Sequence, residues 1–212
     1  MALSKKVGFL STASVGGISG SVALAHYLSS GEEEVKNVIQ KLKKEHFTPI
    51  SEKQDWETML VEYNKQKGVQ HARFINSGAD ATLEDLKAAC EQAAQEDISN
   101  SRIYSKFKRW CTIPKTILNH LSDHGLHALK SGSNDMSDKG NWEKLKRSYL
   151  AKDMNSIYQL RDKLKQQEDE SWKLLQSECE TMSKEKSTDV DFDFSFKNFK
   201  EWCTKEAADK LS

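Results

Sequence analysis

Proline and glycine are scarce in this chain, with two prolines and ten glycines among 212 residues. An all-β fold needs many tight turns, and so little punctuation leaves helix as the expectation for the body. Net charge is missing as well, because 32 basic and 32 acidic residues cancel. No long-range field therefore favours nucleic acid, which is not expected as a partner. A glycine-rich phosphate loop, a G-x-S-x-G elbow and a dinucleotide fingerprint are all lacking, so no catalysis and no cofactor are expected. No C-x-x-C pair occurs, which argues against a zinc site built from the four cysteines. The acidic run at Asp189 is not a calcium loop, since Phe194 and Lys200 stand where an EF-hand requires Gly and Glu.

What is present is a motif that occurs twice. Ser105 to Thr112 reads S-K-F-K-R-W-C-T and Lys197 to Thr204 reads K-N-F-K-E-W-C-T, so Phe107, Lys108, Trp110, Cys111 and Thr112 recur as Phe199, Lys200, Trp202, Cys203 and Thr204. Trp56 and Tyr63 recur at the same separation as Trp142 and Tyr149. The offset grows from 86 at Trp56/Trp142 through 89 at Cys90/Cys179 to 92 at Cys111/Cys203. Such drift is what a tandem duplication with small insertions leaves behind. The expected architecture is all-α: an N-terminal membrane helix, then two tandem, divergent helical repeats forming a helical bundle. The expected boundaries are 1–31 for the anchor or signal segment, 32–112 for the first repeat and 113–212 for the second. The four tryptophans at 56, 110, 142 and 202 are read as core residues rather than a binding surface.

Periodicity places the helices. The first is expected over Glu32–His46, with Val35, Val38, Ile39 and Leu42 on one face. A second opens with Ser51 and Gln54 as a capping box, and a third with Thr82 and Asp85. Pro114 is placed to begin a helix running to Leu129, a long amphipathic stretch capped by Asp153 is one long helix or two with a break near Asp169, and Asp189–Phe196 alternates like a short extended segment. Ser195 is expected to cap the last helix.

No Asp, Glu, Lys or Arg occurs from Val7 to Ser30, between Lys5 and Lys6 on one side and Glu32, Glu33 and Glu34 on the other. A helix over 7–28 would be roughly 33 Å long, enough to cross a hydrocarbon layer of about 30 Å. The flanking charges predict a single-pass protein of the cell membrane, amino terminus inside and body extracellular. Ala23 and Ala25 form an A-x-A-like site, so secretion after signal cleavage is the alternative. Either route exports the body to an oxidising compartment, where the spacing predicts pairing within each copy, Cys90 with Cys111 and Cys179 with Cys203. In a cytosolic protein the same four residues would be buried thiols.

His120, His124 and His127 form H-x-x-x-H-x-x-H within the expected helix from Pro114, and imidazoles at that spacing can chelate a metal. They are the candidate metal or haem ligands; the plainer reading is that they border the apolar stripe of Ile117, Leu121 and Ala128.

The apolar N-terminal segment, the W-E helix starts at Trp56 and Trp142, and the W-C-T at Trp110/Cys111 and Trp202/Cys203 together resemble the large sets of uncharacterised paralogous exported proteins of haemotropic mycoplasmas. The resemblance implies a small exported protein at the host interface and carries no catalytic residue across. The expected function is therefore a membrane-anchored, surface-exposed helical protein with a binding, host-interaction or antigenic display role. Its partners are the membrane, through residues 7–28, and a host or envelope protein. A metal- or haem-binding protein using the three histidines and a structural envelope protein are the alternatives.

Overall fold

A computed structural model describes residues 37–211 apart from 70, 76, 77, 98, 133, 153–155, 168 and 169. The expected anchor or signal segment, the first turns of the expected first helix, the Asp153 cap and the break at Asp169 lie outside the described residues. Among the described residues the fold is all-α, with ten helices, no strand, and no helix long and apolar enough to cross a membrane.

In the first half, α1 (Val38–Lys44), α2 (Lys53–Lys65), α3 (Leu83–Ala94) and α4 (Ser101–Trp110) follow one another. Asn37 caps α1 by accepting from the Gln40 amide at 2.9 Å. At α3, Thr82 and Asp85 exchange the two bonds of a capping box, as their spacing predicts. The box expected from Ser51 and Gln54 does not form. Helix α2 starts at Lys53 without a side-chain cap, and the Ser51 hydroxyl donates to Glu52 instead.

The second half comprises α5 (Ile117–Asp123), α6 (Lys139–Ala151), α7 (Leu160–Gln166), α8 (Trp172–Ser183), α9 (Phe192–Trp202) and α10 (Lys205–Asp209). Helix α6 packs on α8 and α10, and α9 packs on α5 and α8. The long amphipathic stretch is thus two helices, α7 and α8. The helix expected from Pro114 to Leu129 is only the seven residues of α5, capped by Thr116. Pro114 lies in an extended connector because the flanking backbone is taken up elsewhere. The Ile113 amide donates to Thr48 O at 2.8 Å, Ile117 to Glu185 O at 2.9 Å, and Ser187 to Lys115 O at 2.8 Å.

The expected extended segment at Asp189–Phe196 is also corrected, since α9 begins at Phe192. Phe192, Phe196 and Phe199 recur at four and three residues and are buried together with Trp202, while Phe194 between them is 59% exposed. A helical stripe decides the conformation, and the alternation seen in sequence is incidental to it. Ser195 consequently lies inside the helix, not at its cap.

One set of contacts occurs in both halves. Helix α1 ends in a left-handed His46 (φ 60°), with the His46 amide donating to Lys43 O and the Phe47 amide to Leu42 O. Helix α5 ends in a left-handed Gly125 (φ 66°), with the Gly125 amide donating to Ser122 O and the Leu126 amide to Leu121 O. Both are Schellman corners. The chain leaving the first corner pairs with the end of α4, the Ile50 amide donating to Cys111 O at 3.0 Å. The chain leaving the second pairs with the end of α9, the Leu129 amide donating to Cys203 O at 2.9 Å. In each W-C-T the Cys amide closes the helix on the Phe carbonyl four residues back, and the Thr hydroxyl donates to the Lys carbonyl four residues back. Buried Tyr63 meets Trp110 edge-on with centroids 5.1 Å apart, and Tyr149 meets Trp202 likewise at 4.9 Å. All four repeated tryptophans are buried in one core that runs through both halves.

Candidate functional site

Cysteine chemistry closes each of these two contact sets. Cys90 on α3 is bonded to Cys111 at the end of α4, and Cys179 on α8 to Cys203 at the end of α9. The Cα atoms are 5.7 Å apart in both bridges, and no described cysteine is free. Each cystine ties the helix that carries its W-C-T to the helix before it, α4 to α3 and α9 to α8. The two tyrosine hydroxyls add a polar stitch. Tyr63 accepts from the Phe74 and Ile75 amides at 3.0 and 3.2 Å, while Tyr149 accepts from the Ile157 amide at 2.9 Å and donates to Ile157 O at 3.1 Å.

The three histidines proposed as metal ligands do not come together. Because α5 stops at Asp123, His127 lies beyond the Gly125 corner, where its backbone amide and Nδ1 both contact the Glu206 carboxylate, Nδ1 at 2.7 Å. Burial raises the Glu206 carboxyl, but the bonds from His127 outweigh it and hold the group below its ordinary value. His120 and His124 do meet, with their Nε2 atoms 3.4 Å apart. Among the described residues no group of three or more His, Cys, Asp and Glu side chains is arranged to hold a metal ion.

A different third histidine joins this pair. His46, from the first half, sits edge-on to His124 with centroids 4.6 Å apart, and His124 sits edge-on to His120 at 4.8 Å. His120 is packed among Phe47 of the first half and Phe192 and Phe196 of α9, at 4.4, 5.7 and 4.5 Å. The result is a row of imidazoles running from the exposed His46 to the buried His120, which is 3% exposed. The Nδ1 of His120 has no hydrogen-bond partner. A bare lone pair is the cheaper orphan in an apolar setting, so the ring proton is assigned to Nε2, donating to His124 Nε2. Burial first, then His124 and the Lys115 ammonium, push His120 down to about 3. Burial and then His46 lower His124 in the same direction.

Charged groups ring this row and join the halves. Lys115 donates to Asp123 at 2.5 Å and to His46 O at 2.6 Å. The bond from Lys115 chiefly holds the Asp123 carboxyl below its usual range. Lys108 bridges Glu45 at 3.3 Å and Asp193 at 2.7 Å and lies over the Phe47 ring. Arg109 reaches Val190 O, and the Lys115 amide donates to the Ser187 hydroxyl. Beside the row opens a cleft of about 400 Å³ lined by Lys43, His46, Phe47, Lys115 and Asp123, among others.

Sequence reasoning missed His46, Lys115 and Asp123. The two Schellman corners set K-E-H-F against D-H-G-L at an offset of 79, seven short of the 86 at Trp56/Trp142, so aligning the repeat by sequence carries no signal for His46. Comparison of the chain with protein-family models, curated proteins and solved structures finds no match.

Proposed function

We propose that the protein is an exported, membrane-anchored helical module made of two divergent copies of one unit, 32–112 and 113–212, and that its role is binding or antigenic display without catalysis. The observation that carries this reading is the pair of buried cystines at matched places. Disulfides of this kind persist in oxidising compartments and are rare where thiols are kept reduced. The paired Tyr–Trp contacts and the two Thr–Lys bonds support descent from one unit, because they recur at the residues that the sequence offset aligns, and the Schellman corners at His46 and Gly125 add a like turn ahead of each. The uncharged, basic-then-acidic flanked segment over 7–28 supports a membrane anchor with the body outside, and the resemblance to exported mycoplasma paralogues points the same way.

Protease treatment of intact cells tests the topology. The body is expected to be cut at exposed loop positions such as Asn134, Met136 and Ser137 while a cytosolic marker is spared. Non-reducing peptide mapping of the same material is expected to show Cys90 joined to Cys111 and Cys179 to Cys203. A protected body with four free thiols would overturn the export reading.

A further inference from the structure

The row of imidazoles crosses from one half of the chain to the other, and its chemistry constrains when that crossing holds. His120 and His124 face each other through Nε2 at 3.4 Å, a contact that needs one N–H and one bare nitrogen. Protonation of His124 removes the acceptor and sets two N–H groups against each other. His120 is sealed by Phe47, Phe192 and Phe196, so its charged form has no water to fall back on.

The groups facing the pair add to this. Toward His120 are turned Lys115 from the connector, Lys108 from α4, His124 and Asp123. Toward His124 are turned His46 and Glu45 from the first corner, Lys200 from α9 and Asp123. The carboxylates are already engaged, Asp123 by Lys115 and Glu45 by Lys108. The first corner is also the more weakly held of the two, since His46 occupies a left-handed position that its counterpart fills with Gly125. A side chain there costs roughly 1 kcal/mol relative to glycine.

We propose that the His46–His124–His120 row is an acid-operated latch, closed while the rings are neutral, whose protonation releases the first corner, residues 45–50, from α5 and α9. The proposal is independent of export. The direction follows from proton uptake. The released His120 takes a proton near the ordinary histidine value of about 6.5, whereas the latched one resists it down to about 3. Opening is therefore constant above neutral pH and grows as pH falls from about 6.5. For His120 alone it rises about thirtyfold between pH 7.5 and pH 5.

Native-state hydrogen exchange, corrected for intrinsic rates, reads this directly. The amides of Phe47, Ile50 and Ile113 depend on the first corner, and those of Leu126, Leu129 and Lys205 make the matching bonds at the second. At pH 5 the first set is expected to lose about thirtyfold in protection relative to pH 7.5, with the second set changing by less than about threefold. Equal responses of the two sets, or none in either, would overturn the latch. In a H120Q variant, which removes the group assigned the thirtyfold, the acid response of the first set is expected to shrink severalfold, and a folded variant that keeps the full response would equally overturn it. Should that variant not fold, the comparison of the two corners in the unaltered protein decides.

Discussion

Reduction of the two cystines is the perturbation with the most direct consequence. The rings they close span sequence separations of 21 and 24 residues. In the chain-entropy model, rings of these lengths restrict the unfolded ensemble by about 3.3 and about 3.4 kcal/mol. Together that is roughly 7 kcal/mol, against a net stability on the order of 5–15 kcal/mol for a domain. The doubly reduced chain should therefore lose about half or more of its stability and, at the lower end of that range, unfold. Because the rings do not overlap in sequence, the C90A/C111A and C179A/C203A variants should cost similar amounts, each relative to the oxidised parent. The second pair should cost somewhat more, since Cys179 and Cys203 are both fully enclosed and truncation leaves a void. Guanidinium titrations followed by tryptophan fluorescence, with and without reductant, measure the difference without any substitution. If the oxidised and reduced forms differ by less than about 1 kcal/mol, neither ring constrains the unfolded chain as argued, and the compartment argument loses its energetic basis.

Two further measurements bear on the packing. Y149F leaves the buried backbone groups of Ile157 without a partner and should destabilise by about 1–3 kcal/mol in chemical denaturation, and Y63F, whose Phe74 and Ile75 amides are only part-buried, by less; a loss below about 0.3 kcal/mol in both would remove the hydroxyl stitch from the account. F194S should change stability by less than about 0.5 kcal/mol, whereas F199A should cost about 3–5 kcal/mol; comparable losses at the two positions would mean that the 189–196 stretch is extended rather than helical at its end.

Much of the fold was readable because helical burial leaves a stripe. Leu86, Cys90 and Ala93 on α3 and Tyr104, Phe107 and Trp110 on α4 recur at three and four residues and are buried as that spacing requires. The cystine pairing was readable for another reason, since the recurring W-C-T marked Cys111 and Cys203 as occupying like positions, each downstream of one further cysteine. The failures share a physical cause. Pro114 at a first helical turn and the alternation around Phe192 are local cues, and each was overridden by contacts with distant residues, Ile113 by Thr48 and Phe192 by His120. The H-x-x-x-H-x-x-H reading assumed a helix continuing to Leu129. Once the Gly125 corner breaks that helix, His127 turns to Glu206 and the vacated place beside His124 is filled by His46, which is remote in sequence.

The two cystines have a consequence for how the molecule is made. Of the three ways to join four cysteines, the one observed keeps each ring within its own stretch of chain, so neither bridge waits for the other. A chain delivered amino terminus first can close Cys90 on Cys111 while the second half is still being delivered. Where Cys90 has closed on Cys111 before Cys179 emerges, no earlier thiol remains for it to capture wrongly. In such a delivery oxidation would proceed in the order of synthesis without reshuffling, because bridges closed within separate stretches of chain do not compete for partners.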